Sequence, residues 1–147
     1  MSGIYGALSF SGVTKAGSFY SQIWSGRKIQ TMRFPRADGN PHVKVGVPFK
    51  LYWLMRTPID KKPVHLIGIA KATRYDLISL SQVWNDEENA KRDGFLDLDE
   101  FRHWFLRGCE PQSYLDSNSD WILREKYYVI GWEYPLLFST ITVGKPC

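Results

Sequence analysis

The chain has 147 residues, of which 44% are hydrophobic and 23% charged; that composition excludes a disordered polymer and suits a single domain spanning 1–147. No run approaches the ~20 apolar residues of a membrane-spanning helix. The segment Met1–Phe10 lacks the basic start and long apolar core of a secretory signal. The expectation is a soluble, cytoplasmic protein.

The net charge of +4 hides a division. From Arg27 to Arg74 there are eleven Lys/Arg against two Asp/Glu, and from Trp84 to Glu125 five against eleven. The first stretch suits an anion-binding surface and the second a solvated acidic face, unless the two mix in three dimensions and cancel. The two cysteines, Cys109 and Cys147, form no C-x-x-C spacing, and His42, His65 and His103 form no H-x-x-x-H. Neither a disulfide framework, a metal site nor a cofactor is expected.

Ile4–Phe10 reads as a first strand, followed by a loop over Ser11–Ser18. Tyr20, Ile23 and Trp24 fall at helical spacing in Phe19–Ser25, and Gly26 is placed to stop that helix. Ile29–Phe34 reads as a strand and Pro35–His42 as a turn-rich loop. Val45–Met55 and Val64–Ile78 form a hairpin around Pro58, Asp60 and Pro63. Ser81 caps a helix running to about Ala90, and Asp93-Gly94 makes a turn. Asp97 with Glu100 then opens another helix, with Phe101, Trp104 and Phe105 as its buried stripe and Gly108 at its end. Glu110–Asp120 reads as a loop. Lys126–Tyr134 and Leu136–Val143 are two late strands split by Pro135. About six strands, early and late, with about three short helices between them, give an α+β fold built on a small β-barrel.

Two stretches carry candidate chemistry. In Gly26-Arg27-Lys28-Ile29-Gln30-Thr31-Met32-Arg33, an extended Ile29–Phe34 puts Thr31 and Arg33 on one face. Lys28 can curl to the same side, and Arg36 follows closely. Crowded cations lower a lysine's affinity for its proton, and such a lysine can activate a neighbouring hydroxyl. The plainer alternative is a solvated basic flank on an ordinary strand. In Ala90-Lys91-Arg92-Asp93-Gly94-Phe95, a tight turn can hold Asp93 rigidly for proton transfer, or it is simply a turn between helices.

Taken together, these stretches resemble the ASCH domain, a branch of the PUA-like superfamily. The likeness rests on Leu8-Ser9-Phe10, Ser25-Gly26-Arg27-Lys28, Gln30-Thr31-Met32-Arg33, Val45-Gly46, Asp93-Gly94-Phe95 and Asp99-Glu100-Phe101. It covers roughly positions 5 to 106. The resemblance implies a PUA-like barrel with a cleft beside the strand after the first helix, and a ligand that is RNA or a nucleoside. Small members of that family hydrolyse the amide of N4-acetylcytidine with a Lys, a Thr and an acidic residue, and others are reported as ribonucleases. The matching positions here are Lys28, Thr31 and Asp93, with Arg27, Arg33 and Arg36 as phosphate or nucleic-acid contacts. At 93 the amidohydrolases carry Glu, so this carboxylate is one methylene shorter.

Two rivals share the sequence. Asn89–Phe101 mimics a calcium loop, but Lys91 falls where an oxygen ligand belongs. A non-catalytic RNA binder would use the same basic cleft, with Tyr20, Trp24, Phe34, Tyr52, Trp53 or Tyr75 either stacking bases or packing the core.

Overall fold

A single 15-residue strand organises the molecule. In the computed structural model, which describes residues 3–53, 65–106 and 121–139, this strand runs from His65 to Ser79. In chain order the elements are β1 (Ala7–Phe10), β2 (Val13–Thr14), β3 (Gly17–Ser18), α1 (Phe19–Ser25), β4 (Gln30–Arg33), β5 (Pro48–Trp53) and β6 (His65–Ser79). A 3-10 turn (Leu80–Gln82) follows, then α2 (Glu87–Arg92), α3 (Leu98–Leu106), α4 (Trp121–Arg124), β7 (Lys126–Trp132) and β8 (Phe138–Ser139).

The first half of β6 pairs with β5 and β8, and the second half with β7. Register irregularities at Leu51/Tyr52 and Ala72/Arg74 bend the strands between these partners. The sheet order is β1-β5-β6-β7-β4, with β8 on β6 and β2-β3 as a separate small ribbon. β1 lies parallel to β5 and the other pairs are antiparallel. The two edge strands, β1 and β4, are brought face to face: Arg33 Nη2 of β4 donates to the Ser9 carbonyl of β1 at 2.7 Å. The result is an α+β fold with six strands in its main sheet, in line with the small β-barrel expected, here closed into a half-barrel.

The core follows from strand alternation. Leu8 and Phe10, Phe49 and Leu51, and Ile67 are buried on one side, and Val129 to Trp132 line β7. α1 sits where its signals place it. The Ser18 hydroxyl accepts the Ser21 N–H at one end, and Gly26 takes φ 88° at the other. That left-handed conformation favours glycine. Phe19, Gln22 and Ile23 are its buried positions; Tyr20 and Trp24 are only half-buried.

The helix expected from Ser81 to Ala90 is replaced by two shorter elements. Ser79 heads the 3-10 turn in a reciprocal cap with Gln82, and Asp86 opens α2 by accepting the Asn89 N–H. Asp97 does accept the Glu100 N–H at 2.9 Å, but the Glu100 carboxylate takes Leu96 N and Lys15 N instead of closing a capping box. Trp104 is 36% exposed, so the buried face of α3 is Phe101 and Leu106. The first of the late strands ends at Trp132, two residues before the Tyr134 expected. The proposed Pro58–Pro63 hairpin loop, Gly108, the Glu110–Asp120 loop, Cys109, Cys147 and the end of the last strand lie outside the described residues.

The turn joining α2 to α3 is held tightly. Gly94 adopts φ 101°, and a Cβ there would lie 2.9 Å from the Phe19 ring and 3.1 Å from Lys28 Cδ. Gly94→Ala is therefore expected to lose about 2 kcal/mol, read as a lowered midpoint with an unchanged slope in urea unfolding.

Candidate functional site

Lys28 is the largest fully buried side chain, 1% exposed, and its position is set by backbone on every side. Its N–H donates to Gln22 O at the end of α1 (3.0 Å), and the next residue, Ile29, donates to Arg92 O (3.0 Å). The side chain runs beneath the Asp93-Gly94 turn. Nζ donates to Gln30 O at 2.8 Å, Asp93 O at 2.5 Å and Asp93 Oδ1 at 2.8 Å. Three acceptors match the three N–H groups of an ammonium, so the resting pair is Lys28 cation and Asp93 anion. The Phe19 and Phe10 rings lie 4.4 and 5.5 Å from Nζ and add cation–π attraction.

Burial works against this ionised form. It pushes the Lys28 pKa down and the Asp93 pKa up, and in each case the partner's charge and hydrogen bond resist. Arg33 depresses Lys28 only slightly. The crowding by neighbouring cations expected from the sequence is therefore a minor cause, and desolvation is the main one. Asp93 Oδ2 is buried with no partner at hydrogen-bonding distance, and the Gln30 side chain gives Asp93 only its weakest support; a carboxylate oxygen short of partners inside a protein costs free energy unless a ligand or a proton satisfies it.

This pair forms the floor of a cleft of about 290 Å³ between the two edge strands. Thr31 and Arg33 of β4 form one wall, Ser9 and Phe10 of β1 the other, and Trp104 of α3 stands beside Phe19 and Phe95. Thr31 and Arg33 share a face, as alternation requires. The Thr31 hydroxyl has a long 3.5 Å contact from Arg33 Nε, while all three Lys28 protons are directed elsewhere. The structure thus brings Lys28, Thr31, Asp93 and Arg33 to one cleft without a lysine–threonine hydrogen bond. The shorter acid at 93 still reaches Lys28, because the turn carries both its carbonyl and its carboxylate to Nζ.

Arg27 and Arg36 do not join this cluster. Arg27 turns to Gln22 Oε1 (2.7 Å) and Phe95 O (3.1 Å), where it braces the turn. Arg36 is carried away on the loop after β4 and pairs with Asp38 at 2.6 Å. The calcium-loop carboxylates are otherwise engaged: Asp93 by Lys28, Asp97 as a cap, Glu100 by backbone N–H groups.

Sequence reasoning missed the polar supports beneath the cleft. Gln30 Nε2 donates to Asn89 Oδ1 (2.7 Å), and Arg92 Nε donates to Gln30 Oε1 (3.2 Å). Thr14 Oγ1 donates to Gly94 O (2.6 Å), and Gln22 Nε2 donates to Thr14 Oγ1 (3.2 Å). The available signal was Gln22 lying between Phe19 and Ile23, on the buried stripe of α1.

Among the described residues, no group of three or more His, Cys, Asp or Glu is arranged to hold a metal ion, and no helix is long and apolar enough to cross a membrane. No protein-family model and no curated protein matches the chain. Among solved structures, a crystal structure of a mutant ZmASCH protein from Zymomonas mobilis is similar, with a TM-score of 0.43 and 15% identity over 86% of this chain and 67% of that one.

The buried pair makes a measurable demand. Lys28→Met alone strands a buried carboxylate and is expected to cost about 3–5 kcal/mol. Lys28→Met with Asp93→Asn is expected to recover most of that loss in urea unfolding. The pH dependence has a definite sign. Because the folded-state pKa of Asp93 is raised, its contribution is present below the unfolded carboxylate value and is lost as pH rises through the folded one. Wild type is thus expected to lose stability relative to the double variant as pH rises above about 4.

Proposed function

We propose that the cleft is the active site of a hydrolase acting on an acylated nucleoside of the N4-acetylcytidine kind, with Lys28, Thr31 and Asp93 as its catalytic residues. The observation that carries this reading is the fully buried Lys28–Asp93 pair at the floor of an open cleft, with a hydroxyl and a guanidinium on its wall. Burial drives the pair toward its neutral form. A carboxylate with one oxygen short of partners is a ready proton acceptor. Ionisable groups shifted by burial at the base of a cleft are functional-site candidates on physical grounds.

The chemistry proceeds in balanced steps. A ligand that displaces water from the cleft raises the cost of charge, and a proton passes from Lys28 Nζ to Asp93. Rotation about Cε–Nζ then turns the free lone pair toward Thr31. As Thr31 Oγ forms a bond to the acyl carbon, its proton goes to Lys28. Arg33 faces the oxyanion of the tetrahedral intermediate. When the C–N bond breaks, the leaving nitrogen takes a proton from Lys28, and Asp93 replenishes the lysine. For deacylation the proton passes from Lys28 to Asp93 once more; the neutral lysine takes a proton from the water that attacks the threonyl ester and delivers it to Thr31 Oγ as the C–O bond breaks, and Asp93 then returns its proton to Lys28. The net reaction is amide plus water to acid plus amine.

The cavity size favours this reading over ribonuclease action. About 290 Å³ is at the small end of ligand sites and suits one nucleoside. The aromatic wall of Phe10, Phe19, Phe95 and Trp104 offers apolar surface for a base or acyl group. A ribonuclease would use the same lysine, arginine and aspartate on a phosphodiester, and a pure binder would use the cleft without turnover.

Purified protein incubated with N4-acetylcytidine is expected to release acetate and cytidine. Thr31→Val and Lys28→Met are each expected to lower kcat by at least about 100-fold, while Thr31→Ser retains measurable turnover. Absence of deacetylation by wild type, with cleavage of an RNA oligomer instead, would move the assignment to ribonuclease.

A further inference from the structure

A second concave site lies past the end of β4. The loop over 35–42 folds back across β6 and β7 and encloses about 290 Å³ lined by Pro35, Arg36, Asn40, Pro41, Tyr75 and Tyr128. The rings of Tyr75 and Tyr128 are parallel, 4.2 Å apart at 2°. Their orientation is fixed from the side. His42 N donates to the Tyr75 hydroxyl at 2.9 Å, and the His42 ring packs edgewise on both tyrosines at 5.9 Å. Both tyrosines are only half-buried. Stacked on each other, the two rings each keep an outer face, and an aromatic face held rigid at a pocket wall suits stacking of a nucleobase, which needs a π-face and no particular sequence.

Charge at the rim is arranged for an anion. Arg36 grips Asp38 through two bonds, Nε to Oδ1 at 3.1 Å and Nη2 to Oδ2 at 2.6 Å. The two side chains are 44% and 45% exposed. Such a pair contributes little to stability, so a phosphate can displace the carboxylate and take over the guanidinium fork.

The two pockets are joined by β4. Thr31 and Arg33 line the cleft, and Pro35, the next residue in the alternation, lines the second pocket. Four residues of extended chain span roughly 13 Å. Burial, then the charges of Arg33 and Arg36, lower the basicity of His42.

We infer that the second pocket seats a base of a single-stranded nucleic acid whose neighbouring nucleotide enters the cleft, with Arg36 on the intervening phosphate. The substrate class is then a modified residue within a strand, in preference to the free nucleoside. This placement rests on the cleft accepting a nucleoside; strand binding is measured separately from turnover.

The test is fluorescence anisotropy with a labelled single-stranded RNA octamer across a salt series. Wild type is expected to bind, with affinity falling as salt rises. Tyr128→Leu is expected to weaken binding by about tenfold or more. Arg36→Gln is expected to weaken it and reduce the salt slope by about one; Asp38→Asn, which frees the arginine, is expected to tighten it. Arg36 and Asp38 are exposed, so these two variants keep the test decisive if Tyr128→Leu folds poorly. No binding by wild type, equal binding by wild type and Arg36→Gln, or equal competition by a duplex of the same sequence would each overturn the inference. Strand binding that survives while N4-acetylcytidine is hydrolysed neither free nor within the strand removes the hydrolase reading alone. Hydrolysis without strand binding removes the second site alone.

Discussion

One buried ion pair governs this structure. Lys28 and Asp93 are 65 positions apart in sequence and meet at 2.8 Å, almost without solvent. A lysine and an aspartate cannot be desolvated singly without losing several kcal/mol, so strand, turn and helix end must arrive together. The backbone around them is correspondingly over-determined. Gln22 O, Arg92 O and Gln30 O fix the lysine from the helix, the turn and the strand. Arg27, Thr14 and Gln22 fix the Gly94-Phe95 backbone in turn.

The half-barrel supplies the opening. A fully closed barrel would bury β1 against β4 through backbone hydrogen bonds. Here their separation is bridged by a side chain, Arg33, and the gap becomes the cleft. The same arginine therefore holds the sheet edges together and faces the cavity. The cleft and the tyrosine pocket lie in succession along β4 and the residues just after it, with Arg33 at one and Arg36 at the other. The basic bias between Arg27 and Arg74 thus has a spatial counterpart along β4, although not every cation in it contributes.

Local signals were legible and long-range ones were not. The Ser18 cap, the apolar spacing and Gly26 define α1 within a few residues, so its limits could be read directly. The segment Ser79–Arg92 offers two competing starts, Ser81 and Asp86, and short-range spacing cannot choose between them; the bend before Asp86 decides. Parallel pairing of β1 with β5 leaves no sequence mark, because it depends on the crossover through α1 and β4. Thr31 and Arg33 were placed together by period-two alternation, and that holds. Arg36 was grouped with them by proximity in sequence, and the loop that begins at Pro35 removes it. Lys28 and Asp93 could be associated only through family resemblance, since no spacing rule links positions so distant. Their burial, and hence the main cause of their altered acidity, could not be read from neighbouring charges.

Burial pushes the Lys28 pKa down and the Asp93 pKa up, while the attraction between the two charges holds the proton on Lys28. Nitrogen-15 NMR of the lysine side chains, with Lys28→Met used to assign the signal, follows Nζ of Lys28 directly as pH is raised. The account predicts a protected ammonium at neutral pH that gives up its proton well below the ordinary lysine value of about 10.4, apart from the surface lysines. A Lys28 signal that titrates together with those surface lysines would contradict it.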